Sequence, residues 1–195
     1  MTVIGITGSI GTGKSTVAKI IKSLGYPVID CDEVNHNLLR KTGLGYQAVL
    51  SAFGTAILDS NLEIDRKKLG SIVFNDEAKR LKLNSLLHPL VKNEVQKAIE
   101  ENTRNLFFME CPLLFETDFY LLCDYTVVVY TDLDHQIWRV MKRDGIDFPT
   151  ALKRIYAQAP LEEKMNKADF VIDNCHDAGD LLWQVKQMIL KIERK

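Results

Sequence analysis

Residues Gly8, Ser9, Ile10, Gly11, Thr12, Gly13, Lys14 and Ser15 follow the pattern GxxxxGK[ST], and this run constrains the fold more than any other stretch of the chain. The pattern works only where a strand delivers the backbone to a turn and a helix carries it away. Only then do the turn's amides and the helix's positive end converge on one anion. The flanks meet that demand. Val3, Ile4, Gly5 and Ile6 form an apolar run that reads as a buried strand, and Val17, Ile20, Ile21 and Leu24 recur at helical spacing after Ser15. Gly8, Gly11 and Gly13 supply the backbone freedom of the turn. The expected ligand is the phosphate chain of a nucleotide. Lys14 is placed to reach its β and γ groups, and the Ser15 hydroxyl to ligate a magnesium ion bridging them. Thr16 is a candidate for the α-phosphate, through its hydroxyl or its amide.

Composition narrows the partners. A chain of 195 residues, 46% of them hydrophobic, suits one globular core with a smaller appendage. Its 25 basic and 26 acidic residues are well mixed and give a net charge of -1, so composition offers no face for nucleic acid. Cys31, Cys111, Cys123 and Cys175 form no CxxC pair and no zinc spacing with the histidines, which fits reduced thiols in a cytoplasmic protein. No apolar run approaches the roughly 18 residues of a membrane span, and the start of the chain carries no basic leader. A soluble, unprocessed protein is expected.

Strand and helix signals alternate along the chain. Val28 and Ile29 form a second strand that ends in Asp30, Cys31 and Asp32. The stretch from Glu33 to about Asn105 holds only helical patterns: Arg66 to Phe74 after Asp65, Glu77 to Leu87 after Asp76, and a further helix opened by Pro89 and running to Glu101. Leu106 to Met109 make a third strand ending at Glu110, and Tyr125 to Tyr130 a fourth. Asp132 caps a helix to about Arg143, and Pro149 starts another ending near Gln158. Phe170, Val171 and Ile172 are a fifth strand before a last amphipathic helix. Continuous apolar strands alternating with helices predict an α/β fold: a five-stranded parallel sheet with helices on both faces, a helical insertion and a helical lid. In such sheets ligands collect at the carboxyl ends of the strands.

That edge selects the remaining candidates. Asp32, just past the second strand, can accept or align the proton of an attacking hydroxyl, and strand alternation would turn it to the same side as Asp30. Its alternative is a helix cap. Glu110, ending the third strand, stands where a carboxylate approaches the magnesium shell. Arg139 and Arg143 share one helix face with Lys142 beside them, and Arg154 and Lys164 follow. Together they form a cationic lid that would neutralise charge on a transferring γ group. His88 is a lone histidine in the helical block, more often structural than ligand-binding. Asn166, Lys167, Ala168 and Asp169 match the guanine-reading NKxD pattern, but they precede a strand and no DxxG accompanies them, so a GTP switch is disfavoured.

Taken together, these residues resemble the dephospho-CoA kinase family over nearly the whole chain. The landmarks are Thr7 to Thr16; Val28 to Asp32; Leu83, Asn84, Ser85, Leu86, Leu87, His88 and Pro89; Pro112, Leu113, Leu114, Phe115 and Glu116; Arg143 and Asp144; and Ala168 to Asn174. The resemblance implies a fold of the P-loop kinase type. Its core would be 1–32, 106–135 and 168–195, with an acceptor block at 33–105 and a lid at 136–167. It implies ATP-dependent phosphorylation of the ribose 3′-hydroxyl of dephospho-coenzyme A, the last step of coenzyme A synthesis. ATP and magnesium would be required, and the chain would be a monomer or weak homo-oligomer. Asp32 looks like the family's base; His88, Leu114 and Glu116 like acceptor-side positions; Arg139, Arg143 and Asn174 like groups around ATP. Two departures stand out: Cys175 and His176 follow Asn174 where glycine is usual, and Pro160 stands where a small hydroxylated residue is common. The alternative enzyme is a nucleoside or nucleoside-monophosphate kinase.

Overall fold

A computed structural model describes residues 1–74, 76–176 and 178–194. In chain order the elements are β1 (Thr2–Gly8), α1 (Lys14–Ser23), β2 (Val28–Asp30), α2 (Cys31–Leu38), α3 (Tyr46–Phe53), α4 (Arg66–Phe74) and α5 (Glu77–Glu100). They continue with β3 (Leu106–Glu110), β4 (Tyr125–Tyr130), α6 (Leu133–Asp144), α7 (Phe148–Tyr156), α8 (Leu161–Met165), β5 (Phe170–Asp173) and α9 (Ala178–Glu193). The five strands form one sheet ordered β2-β3-β1-β4-β5, and every pairing is parallel. The chain divides into two compact units, Met1–Asp30 with Asn102–Lys195, and Cys31–Glu101.

In the sheet unit, alternation along each strand sorts side chains to two faces. Ile4, Ile6, Phe108, Val127, Val129 and Ile172 pack against Val17 and Ile21 of α1 and against Leu181, Val185, Met188, Ile189 and Ile192 of α9. That helical spacing is the amphipathic pattern of the sequence made into one apolar layer. Gly5 points the other way. A Cβ there would lie 2.7 Å from Cys123 Sγ and 2.8 Å from a Leu114 methyl, so the missing side chain lets the segment after β3 close onto the sheet. Burial pushes the Cys123 thiol up to about 12, which keeps it protonated and inert. All four cysteines are free thiols.

The helical unit has its own core, in which Leu39, Tyr46, Val49, Ile57, Ile64, Leu69 and Leu87 are buried together. Here one expectation fails. The helices expected on either side of His88 are a single 24-residue helix, α5, with Pro89 inside it. Proline deprives a helix of one amide bond, but Leu87, Val91 and Val95 continue one buried stripe across it. Burying that stripe outweighs the lost hydrogen bond. Asp76 caps α5 by accepting from the Lys79 amide at 3.0 Å, as its position in the sequence suggested. Among the described residues no helix is long and apolar enough to cross a membrane.

Candidate functional site

β1 ends at Gly8 and α1 begins at Lys14, so the phosphate loop hangs from the central strand of the sheet. Gly13 is the residue before the helix, with φ 96° and ψ 23°, a left-handed conformation that glycine adopts without strain. No side chain caps α1 and no acidic residue lies in its first turn. Its amino end therefore keeps amide donors and positive potential for an external anion. Lys14 Nζ folds back to the carbonyls of Ser9 at 2.9 Å and Gly8 at 3.3 Å, which holds the cation over the loop. The Ser15 hydroxyl donates to Glu110 Oε1 at 2.8 Å, and Glu110 is buried. Thr16 is exposed on the first turn. β3 is what brings Glu110 there: it pairs with Ile6 in the strand register.

The loop is held from outside by four polar side chains. Asn174, buried at the end of β5, donates Nδ2 to the Thr12 carbonyl at 2.7 Å. Arg139 on α6 bonds the Asn174 carbonyl at 2.9 Å and reaches the carbonyls of Gly11 and Thr12 at 3.5 and 3.4 Å. Gln136, buried on the same helix, donates to the Ile10 carbonyl at 2.9 Å. Gln158 Oε1 accepts from the Ile10 amide at 2.7 Å and from the Ser9 hydroxyl at 2.9 Å. Beside Ser9 opens a cavity of about 510 Å³ walled by Asp132, Gln136, Tyr156 and Gln158 among others. Asn174 thus contacts the loop itself. The two glutamines escaped the sequence reading because no motif marks them. The one signal was Gln136 at a core register of α6, one residue before buried Ile137 and four before buried Val140.

Several other candidates are engaged by neighbours of their own. Arg143 is clamped on Asp144, Nε to Oδ1 at 2.7 Å and Nη2 to Oδ2 at 3.0 Å, and Arg154 joins the same carboxylate at 2.6 Å. The clamp holds the Asp144 carboxyl below its usual range and the Arg143 guanidinium above its own. Lys164, expected in the cationic lid, is 2% exposed. It bonds Glu116 at 2.7 Å and the Pro112 carbonyl at 3.0 Å. A desolvated ammonium needs such partners, so it belongs to the wall around Glu116 and not to the lid surface. Leu114 is fully buried. Asp30 ends β2, whereas Asp32 is exposed in the first turn of α2, so strand alternation does not relate them. His88 is half-buried within α5. Asp169 of the NKxD match accepts from the Thr126 amide and hydroxyl, both at 2.8 Å, and so pins the start of β4. That is a structural task.

A parallel sheet in this order, with a GKS loop leaving its central strand and a buried carboxylate bonded to the loop serine, defines the chain as a P-loop kinase fold. The family model for dephospho-CoA kinase matches residues 2–180, and the chain belongs to that family. It is 44% identical over 174 residues to the dephospho-CoA kinase of Geobacillus kaustophilus, covering 88% of this chain and 87% of that protein. Among solved structures, TT1252 from Thermus thermophilus superposes with a TM-score of 0.88 at 32% identity, covering 98% of this chain and 97% of the other. Dephospho-CoA kinase from Campylobacter jejuni does so with a TM-score of 0.71 at the same identity and coverage.

Proposed function

We propose that this chain transfers the γ-phosphoryl group of ATP to the ribose 3′-hydroxyl of dephospho-coenzyme A, giving coenzyme A and ADP, the last step of coenzyme A biosynthesis. The observation that carries this reading is the open amino end of α1 with Lys14 folded over the loop, in a chain that matches the dephospho-CoA kinase family over residues 2–180. Phosphoryl transfer asks the protein for positioning and charge stabilisation more than for covalent chemistry. The amides of Gly11 to Ser15 and the Lys14 ammonium hold the β and γ phosphates in line. Arg139 and Asn174 keep that loop rigid from behind. Asp32 takes or orients the proton of the acceptor hydroxyl, and the departing ADP oxygen receives its charge stabilisation from Lys14. Arg143 approaches the transferring group by exchanging Asp144 for phosphate oxygens. His88, Leu114 and Glu116 are the acceptor-side residues of this reading.

The residues present suit magnesium. Ser15 and Glu110 offer a hydroxyl and a carboxylate at 2.8 Å, an all-oxygen set. Among the described residues no group of three His, Cys, Asp or Glu side chains forms a metal cage. Magnesium takes few protein ligands and fills its shell with phosphate oxygens and water. When bound there it neutralises charge on the β and γ oxygens. The reaction belongs in the cytoplasm, with the enzyme as a monomer or weak homo-oligomer. A coupled ADP-release assay tests the function: dephospho-coenzyme A should stimulate ADP formation strongly, and nucleoside monophosphates should not. Stimulation by nucleoside monophosphates alone overturns the reading.

A further inference from the structure

The helical unit holds a second cavity, of about 390 Å³, lined by His36, Leu39, Arg40, Glu63, Ile64 and Arg66. Its floor is apolar, since Leu39 and Ile64 are both buried. Its rim carries two arginines, an imidazole and one carboxylate, and these polar groups arrive from separate elements. His36 lies on α2, Arg40 lies two residues past that helix, and Arg66 opens α4. Arg66 Nη1 stands 3.0 and 3.1 Å from the two ring nitrogens of His36. Near-equal distances to both nitrogens place the guanidinium across the ring face, because an approach along the ring plane would collide with the carbon between them. Among the described residues the Arg40 guanidinium makes no hydrogen bond or ion pair. The one carboxylate on the rim, Glu63, already accepts from the Lys41 amide at 2.9 Å.

Glu63 sets one carboxylate against the two guanidiniums of this rim. Cations suit the carboxyl end of a helix, where His36 and Arg40 are, but Arg66 sits at the amino end of α4, where the helix dipole is itself positive. Asp65 offsets part of this by accepting from the Lys67 and Lys68 amides. The two guanidiniums therefore concentrate positive charge that the single lining carboxylate, Glu63, offsets only in part. An anion with several oxygens would relieve that concentration, and the planar guanidinium fork matches phosphoryl oxygens with two parallel bonds.

We propose that the His36, Arg40 and Arg66 pocket binds the diphosphate of the acceptor, so that the helical unit recognises dephospho-coenzyme A by its charge as well as by its shape. This rests on the function proposed above and adds the residues that read the acceptor. Donor and acceptor both carry phosphates, and the two units separate them: amides and Lys14 take the donor, arginines the acceptor.

The test is steady-state kinetics on the full chain, with dephospho-coenzyme A and ATP varied separately, for the parent, Arg40→Gln, Arg66→Gln, the double variant and Arg66→Lys. Each glutamine substitution should raise the KM for dephospho-coenzyme A roughly tenfold to a hundredfold, the range of one charge-assisted contact. The double variant should exceed either single one. The KM for ATP should stay within about twofold, and Arg66→Lys should recover part of the loss by restoring charge without the fork. Calorimetric titration of dephospho-coenzyme A in the presence of a non-hydrolysable ATP analogue should show the same order of affinities. All the substituted side chains are exposed, so melting temperatures should match the parent. A parent that turns over dephospho-coenzyme A beside a double variant with unchanged KM for it overturns the pocket alone. A parent that dephospho-coenzyme A does not stimulate overturns the functional reading, and the pocket's assignment falls with it.

Discussion

The sheet unit and the helical unit handle polar chemistry in opposite ways. In the sheet unit the phosphate loop is backbone. It is tied to buried or half-buried side chains from α6, β5 and the segment after α7, so the atoms that would bind phosphate are also atoms that hold the fold. In the helical unit Asp32, His36, Arg40 and Arg66 stand exposed, while the stability rests on a separate apolar cluster around Val49, Ile57 and Leu69. Binding and stability are therefore joined in the backbone of the phosphate loop and separate in the exposed side chains of the helical unit.

Substitutions that divide the two properties test this contrast. Lys14→Met should lower ADP formation by about 10²- to 10³-fold, the usual cost of one preorganised charge at a transferring group. The melting temperature should change little, and a coupled kinetic assay with a thermal scan reads both. Leu69→Ala should do the reverse. It removes a side chain only 3% exposed and should cost about 2–5 kcal/mol. Faster amide exchange should then be confined to residues 31–101, with ATP affinity within about twofold. Exchange spreading evenly over the sheet would show that the units do not unfold separately.

Gly13→Ala should damage both properties at once, because it lies where they coincide. A Cβ there would sit 2.0 Å from Asn174 Nδ2, on a residue held at φ +96°. Strain of about 1–3 kcal/mol and weakened ATP binding should appear together in melting and titration experiments. The smallest effect belongs to Asp132, the amino-terminal cap of α6. Its bonds to the amide and ring of His135 hold the carboxyl at about 2. A carboxyl depressed in the folded state stabilises above its unfolded value of about 3.9, and the gain disappears as pH falls through the folded value. Asp132→Ala should therefore cost about 1 kcal/mol near neutrality, or a few degrees in melting temperature. Denaturant titrations of parent and variant should converge toward pH 2.

Much of this was legible in the residue order. The loop, its strand and its helix were readable because each demands fixed residue types at fixed spacing, and Ser15 with Glu110 followed from where parallel strands end. Pro89 misled because local propensity argued for a break while a buried stripe on both sides of it argued for continuity. Lys164 misled because a lysine following a run of lid cations reads as surface until Glu116 and the Pro112 carbonyl are found beside it. Gln136 and Gln158 carried no pattern at all. Each meets the loop across more than a hundred residues of chain, and such distant pairings leave no spacing to read.

By itself the sequence determined the sheet, the phosphate loop and the family, since those depend on backbone freedom, apolar periodicity and short motifs, all of them local. Only the tertiary structure decided how the loop is braced, where Lys164 and Arg143 spend their charge, and that His36, Arg40 and Arg66 share one cavity. Those facts depend on which side chains, remote in the chain, are brought within hydrogen-bonding distance, and burial and charge balance settle that only once the elements have packed.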